Sequence, residues 1–220
     1  MQQYLTTDYP HELGYYPAAP LEFSEQSFNG AFSLSDEKAC SVCPLKSTCD
    51  QAMLLFDTKT PLNVLDFERF IKQFDDTPAA IKERCDYLVY DEMEYKSRIA
   101  FCELTCSSEK YVEANDGSYP EGKRARAYRQ IESTIESLLR NLLLTVEIMT
   151  YPSRLGIFGW RERIPTPTDQ AMTAMEDFIT TPSSEEKVLL SLLTVMNHRF
   201  SFVQVRYPGV FGWNTPMNLE

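Results

Sequence analysis

Apolar and polar positions fall into blocks of different period along the chain. Cys85 to Tyr90 and Ile99 to Thr105 are β-rich and mostly apolar, and a polar stretch from Asp91 to Arg98 separates them. That pattern predicts a β-hairpin with a loose turn. Upstream, Phe67, Phe70, Ile71 and Phe74 follow the i, i+3, i+4, i+7 spacing of one helical face, so an amphipathic helix is expected after Pro61, ending at Asp75-Asp76-Thr77-Pro78. Downstream, Lys123 to Leu139 carries Ala125, Tyr128, Ile131, Ile135, Leu138 and Leu139 on one stripe, which predicts a second helix. Leu142 to Met149 is a dense apolar run with Val and Ile, and reads as a buried strand following that helix. Hairpin, helix and strand in this order imply a central mixed sheet with a crossover helix, flanked by helices, an α/β (α+β) fold.

The remainder is less periodic. Met1 to Glu37 holds Pro10, Pro17 and Pro20 among many aromatics, and reads as an arm that packs by its tyrosines and phenylalanines or as a partly ordered tail. Asp50 to Asp57 is too short for strand and helix to be separated. Glu109 to Gly122, with Asn115-Asp116-Gly117 and Pro120, reads as a loop. Tyr151-Pro152 leads to Gly156-Ile157-Phe158-Gly159-Trp160, and Tyr207-Pro208 leads to Gly209-Val210-Phe211-Gly212-Trp213. This echo suggests two aromatic turns closing on the same core edge, or two aromatic platforms for a ligand. Between the copies, a loop is expected at Pro165 to Thr168, helices at Asp169 to Ile179 and Ser184 to Val195, and a strand at Phe200 to Tyr207. Ser183 and Glu186 match a capping box, and Glu185 and Glu186 suit the positive end of the second helix. The expected division is an N-terminal extension over residues 1–60 and an α/β domain over 61–220.

Charge narrows the partners. A net charge of −11 over 220 residues excludes a protein that coats nucleic acid or membrane through a general basic excess. Four cations within seven residues, Lys123, Arg124, Arg126 and Arg129, are the local exception; they read as a solvated helix face or as contacts to a phosphate backbone. No signal-like segment opens the chain and no apolar run is long enough to span a bilayer, so a soluble cytoplasmic protein is expected. A protein partner is compatible with the same surface.

The chemistry centres on the hairpin. With the turn centred on Glu94 and Tyr95, Asp86 and Glu103 fall nearly opposite each other, and opposed residues project from one sheet face. Two like charges so placed call for protons, hydrogen bonds or a cation. Otherwise Asp86 pairs with Arg84 or Arg98 and Glu103 alternates out to solvent. Cys85-Asp86-Tyr87-Leu88-Val89, Phe101-Cys102-Glu103-Leu104-Thr105 and Tyr128-Arg129-Gln130 together resemble the PD-(D/E)XK, or restriction-endonuclease-like, nuclease superfamily over roughly residues 62–150. The resemblance implies that Asp86 and Glu103 bind Mg²⁺, that Gln130 and the basic helix lie near a nucleic-acid substrate, and that a lysine two residues after the Glu positions the attacking water. That position holds Thr105; Lys110 and Lys123 are the nearest downstream lysines. The resemblance therefore points to a Mg²⁺-dependent phosphodiesterase or to an inactive nuclease-like binding module.

Of six cysteines, Cys85 and Cys102 sit in the hairpin runs and read as core residues. Cys40, Cys43 and Cys49 form a C-x2-C-x5-C cluster that reads as reduced thiols, or as three ligands for Zn²⁺ or an iron-sulfur cluster with Cys106 as the most accessible fourth. With only His11 and His198 present, a histidine-based triad is unattractive, and no Gly-rich phosphate loop is found.

Overall fold

The computed structural model describes residues 1–35, 42–44, 52–91, 96–107, 109–113, 121–162 and 190–215. The N-terminal arm is helical at its start, with a π-helical stretch Tyr4–Asp8 and α1 (Tyr9–Glu12), and then extended through β1 (Glu25–Phe28) and β2 (Phe32–Leu34). Next come β3 (Val42–Pro44), β4 (Leu54–Asp57), β5 (Leu62–Asp66) and α2 (Phe67–Lys72). The hairpin strands β6 (Tyr87–Asp91) and β7 (Arg98–Ser107) lead through a 3₁₀ turn, Glu109–Tyr111, to α3 (Gly122–Leu139) and α4 (Leu142–Met149). The chain closes with β8 (Ser153–Glu162), β9 (Leu190–Val195), β10 (His198–Arg206) and β11 (Val210–Gly212).

Two sheets and a helical layer result. The larger sheet has the order β1-β5-β6-β7-β8-β10-β9, and the smaller β11-β4-β2-β3. In the larger sheet β5, β6 and β7 form an antiparallel meander, while β7, β8 and β10 run parallel, so the sheet is mixed as its order of elements implies. Side-chain alternation divides its faces. Leu88, Tyr90, Ile99, Phe101, Phe158, Trp160, Phe200 and Phe202 pack toward the helices. Val64, Val89, Ala100, Cys102, Ile157 and Val203 pack against Phe32, Leu34, Leu54, Phe56 and Trp213 of the smaller sheet's layer. Burying both faces is what a sheet with such continuous apolar strands requires.

The helix expected after Pro61 begins only at Phe67, where the Asp66 side chain caps it by accepting from the Arg69 N–H at 3.0 Å; residues 62–66 are strand. Its face of Phe67, Phe70, Ile71 and Phe74 is buried as anticipated. The long helix α3 is also where expected, although its stripe runs through Ala127 and Thr134, and Ala125 is exposed.

Leu142 to Met149 is a helix and not a strand. Asn141 supplies the start signal, its side chain accepting from the Leu144 N–H at 2.8 Å. Leu144, Glu147 and Ile148 are buried, whereas Leu142, Leu143 and Val146 are 69%, 49% and 58% exposed. The strand that follows the crossover is β8, and it contains the first aromatic echo. Gly156 and Gly159 serve close packing: a Cβ on Gly156 would lie 2.9 Å from Ile131 of α3, and one on Gly159 would lie 2.8 Å from both Leu104 and Leu54. The second echo forms β11 and the turn after it. Trp160 and Trp213 belong to cores on opposite sides of the sheet, so the two copies do not close on one edge.

Residues 190–195, expected as the end of a helix, are strand β9. Alternation decides this: Leu192 and Thr194 are exposed while Leu193 and Val195 are buried. The expected helix Asp169 to Ile179, the Ser183–Glu186 capping box, the Pro165 to Thr168 loop and the Asn115-Asp116-Gly117 and Pro120 turn signals lie outside the described residues. The strand expected from Phe200 is β10. Among the described residues no helix is long and apolar enough to cross a membrane.

The N-terminal arm packs by its aromatics. Tyr15 and Phe23 make edge contacts with Phe74 and Phe70, and β1 extends the large sheet by pairing with β5. Tyr9 is 2% exposed and its hydroxyl donates to the Ala79 carbonyl at 3.0 Å. Burial raises its pKa to about 12. Because the folded pKa exceeds the unfolded value near 10, the stability tied to neutral Tyr9 is complete below about pH 10 and is lost as pH rises toward 12. Alkaline unfolding curves of the wild type should therefore fall by roughly 2 kcal/mol over that window, and those of Tyr9→Phe should be flatter.

Candidate functional site

Tyr87 pairs with Cys102 and Tyr90 with Ile99, which centres the hairpin between residues 94 and 95; the pairing ends at Tyr87 and Cys102, with Asp86 one residue before it on one strand and Glu103 one residue after it on the other. Asp86 is where the chain leaves the ladder. Its N–H donates to the Cys102 carbonyl at 2.9 Å, and its own carbonyl accepts from the Phe67 and Glu68 N–H groups at the start of α2, at 2.9 and 3.0 Å. The Asp86 carboxylate then takes over the pairing role, Oδ2 accepting from the Leu104 N–H at 2.6 Å. The backbone of Asp86 is thus held from both sides.

Helix α3 secures the approach to Asp86 with two residues one turn apart. Gln130 Nε2 donates to the Arg84 carbonyl at 3.2 Å, and Thr134 Oγ1 accepts from the Cys85 N–H at 2.9 Å. Thr134 was not among the residues the sequence singled out; its only signal is a polar side chain in the apolar stripe, four positions after Gln130.

Glu103 does not alternate out to solvent. It is 9% exposed and follows Phe101 onto the helix-covered face. Asp86 precedes the first ladder residue, Tyr87; its carboxylate turns to the β7 backbone at Leu104, and Cys85 before it packs in the helix-side core. Glu103 lies beside Phe158, and Phe158 beside Gln204, so one row across the sheet reads Glu103, Phe158, Gln204. The next row toward the strands' C-terminal ends is Thr105, Trp160, Arg206. Gln204 and Trp160 are buried members of this face; Trp160 belongs to the first aromatic echo, and Gln204 carries no signal in the sequence.

The arginines named as alternative partners of Asp86 have other bonds. Arg84 pairs with Asp75 and donates to the Ile81 carbonyl, and the Arg98 guanidinium donates to the Gly212, Trp213 and Thr215 carbonyls. Of the four helix cations, Arg124 pairs with Glu113 at 2.7 Å and Arg129 with Glu121 at 2.6 Å; Arg126 is exposed, and Lys123 lies half-buried in the first turn of α3. These pairs leave less charge for a phosphate backbone than the sequence alone suggests.

Both hairpin thiols are fully buried, as expected of core cysteines. Burial, with the nearby negative charge of Glu103 acting on Cys85 and of Asp86 on Cys102, pushes both thiols well above their ordinary pKa. They stay protonated and serve as packing groups. Cys106 is exposed, the backbone of Cys43 pairs with Ser33 in the small sheet, and Cys40 and Cys49 lie outside the described residues.

No group of three or more His, Cys, Asp or Glu side chains is placed to hold a metal among the described residues. The candidate donor set is a pair of carboxylates. That set fits Mg²⁺, which retains several waters and is commonly bound through one or two carboxylates plus substrate phosphates. It does not fit a closed Zn²⁺ site, which takes four nitrogen, sulfur or carboxylate ligands. Comparison of the chain with protein-family models, curated proteins and solved structures gives no match.

Proposed function

We propose that the chain is a Mg²⁺-dependent phosphodiesterase of PD-(D/E)XK-like fold acting on nucleic acid. The observation that carries this reading is the nearness of two acids at the start of the β6–β7 pairing: Asp86, whose Oδ2 accepts from the Leu104 N–H, and Glu103, the residue before Leu104, which is 9% exposed. The order of parts supports it: α2, a strand led by Asp86, a partner strand with Glu103, then a helix whose Gln130 grips the residues before Asp86, and a parallel strand after it.

Asp86 and Glu103 would hold the ion, with Gln130 and Thr134 keeping the Asp86 entry in place. The bound ion supplies Lewis-acid stabilisation of phosphoryl oxygens and a water of lowered pKa. Thr105 follows Glu103 by two residues and shares its face, which is where the superfamily pattern places a lysine. A hydroxyl cannot supply that positive charge. Slow turnover follows for the wild type. Thr105→Lys should raise Mg²⁺-dependent cleavage of a short labelled oligonucleotide by about 10²-fold, and Glu103→Gln should remove cleavage in both backgrounds. Absence of Mg²⁺-dependent cleavage in the wild type and in Thr105→Lys alike defeats the enzyme reading.

A second reading, an inactive nuclease-like module that binds nucleic acid or a protein, is favoured by Thr105 and by the pairing of Arg124 and Arg129 with acids. It predicts Mg²⁺ binding without turnover. At the cysteine cluster, metal analysis of anaerobically purified protein separates the two expectations: stoichiometric zinc or iron marks Cys40, Cys43 and Cys49 as ligands, and neither marks them as reduced thiols.

A further inference from the structure

The Asp86 carbonyl is held by α2, a helix of six residues. A helix that short gains little from its own hydrogen bonds, so the shape of its first turn depends on what caps it. Three N–H groups of that turn have defined acceptors. Those of Phe67 and Glu68 both donate to the Asp86 carbonyl, at 2.9 and 3.0 Å, and that of Arg69 donates to Asp66 Oδ1 at 3.0 Å. One side chain therefore fixes the turn that aims the other two donors.

The sheet places Asp66 for this task. It is the last residue of β5 and pairs with Tyr87, the residue after Asp86. Its own N–H donates to the Ser24 carbonyl at 3.3 Å, which ties the corner to the N-terminal arm. The far end of α2 is fastened separately: Gln73 Nε2 donates to the Glu22 carbonyl and Gln73 Oε1 accepts from the Glu22 N–H, both at 2.7 Å. The two ends of the helix can thus be perturbed one at a time.

We propose that Asp66 is a positioning residue for the cation site: by capping α2 it holds the two donors that set the Asp86 backbone, and with it the direction of the Asp86 carboxylate. Asp66 acts through Asp86 and not as a ligand. This rests on the reading of Asp86 and Glu103 as a Mg²⁺ site. A metal ligand held by partners of its own is oriented before the ion arrives, and loss of such a partner typically weakens metal affinity by about 10–100-fold. The lower end of that range is expected, because the Leu104 N–H holds Asp86 Oδ2 as well.

The test is calorimetric titration of the full chain with Mg²⁺ alone, on proteins that circular dichroism shows to be folded. Asp66→Ala should raise the Kd about tenfold, and Asp66→Asn, whose side-chain oxygen also caps a helix, should restore most of the affinity. Gln73→Ala, which releases the other end of α2, should lower the melting temperature and leave the Kd unchanged. A cap that serves stability alone would show as a lowered melting temperature for Asp66→Ala with the wild-type Kd, and that overturns the proposal. So does an Asp66→Asn protein as weak as Asp66→Ala, which would make the charge of Asp66 the active feature. An equal loss of affinity in Gln73→Ala overturns it too, since general loosening of α2 would then account for the effect. If Asp66→Ala does not fold, Asp66→Gly gives the same comparison, because a helix start tolerates glycine better than alanine and glycine offers no side-chain acceptor. Failure of the carboxylate reading is distinct: the wild type itself then takes up no Mg²⁺, and the proposal falls with it.

Discussion

Asp91→Ala should lower the unfolding free energy by about 3–5 kcal/mol, a large share of the roughly 5–15 kcal/mol typical of a domain. Asp91 ends β6 and is 1% exposed. Its Oδ2 accepts from the Ser97 N–H at 2.8 Å, the Ser97 hydroxyl at 2.6 Å and the Arg98 N–H at 2.5 Å, and its Oδ1 accepts from the Trp213 indole N–H at 2.7 Å. One carboxylate thus closes the turn end of the hairpin and fixes the tryptophan that anchors the segment after β11. Arg98 strengthens the same junction by donating to the carbonyls of Gly212, Trp213 and Thr215. Alanine leaves the buried Trp213 indole N–H without an acceptor, at about 1–3 kcal/mol, and removes the acceptor of the half-buried Arg98 N–H as well. Asp91→Asn keeps one acceptor oxygen but turns an NH₂ toward the remaining donors, so its loss should be intermediate. Denaturant unfolding followed by tryptophan fluorescence and by circular dichroism measures both. A loss below about 1 kcal/mol for alanine would show that the junction is not a determinant of the fold.

Glu103→Gln should act in opposite directions with and without metal. Two like charges close together repel, and the burial of Glu103 beside the Asp86–Leu104 bond adds to the cost. In chelator the variant should therefore melt at or above the wild-type temperature. With Mg²⁺ the wild type should gain stability by mass action, about 2.7 kcal/mol at a hundredfold excess over Kd, and the variant should gain none. Asp86 needs a more careful substitution, because its Oδ2 also receives the Leu104 N–H. Asp86→Asn retains an acceptor and removes the charge, whereas Asp86→Ala adds an unmet backbone donor worth about 1–3 kcal/mol. Equal Mg²⁺ responses in wild type and Glu103→Gln would remove Glu103 from the site.

The hairpin and its register were legible because two mostly apolar, β-rich runs flank a polar turn centred on residues 94 and 95. Helix α3 was legible from its long 3.6-residue stripe. Helix α4 was not: a run such as Leu142-Leu143-Leu144-Thr145-Val146 is so uniformly apolar that its period is hidden, and only the cap at Asn141 distinguishes it from a strand. The same ambiguity hid β9, where adjacent leucines mask the alternation that the sheet edge imposes. The glycine-aromatic echoes misled for another reason. Gly156 and Gly159 resemble turn residues in sequence, but a strand squeezed between Ile131 on one side and Leu54 on the other needs residues without a Cβ. At the candidate site, Asp86, Glu103 and Gln130 were readable from local pattern. Thr134 and Gln204 were not: the first meets Cys85 only when α3 packs on the sheet, and the second joins the Glu103 face only once β8 and β10 take their places beside β7.

The central claim, that Asp86 and Glu103 form one cation site, is tested most directly by calorimetric titration of the full chain with Mg²⁺ and with Mn²⁺. Saturable binding by the wild type, absent in Asp86→Asn and in Glu103→Gln proteins that remain folded, is the predicted result. A wild type that takes up neither ion at millimolar concentration would contradict it.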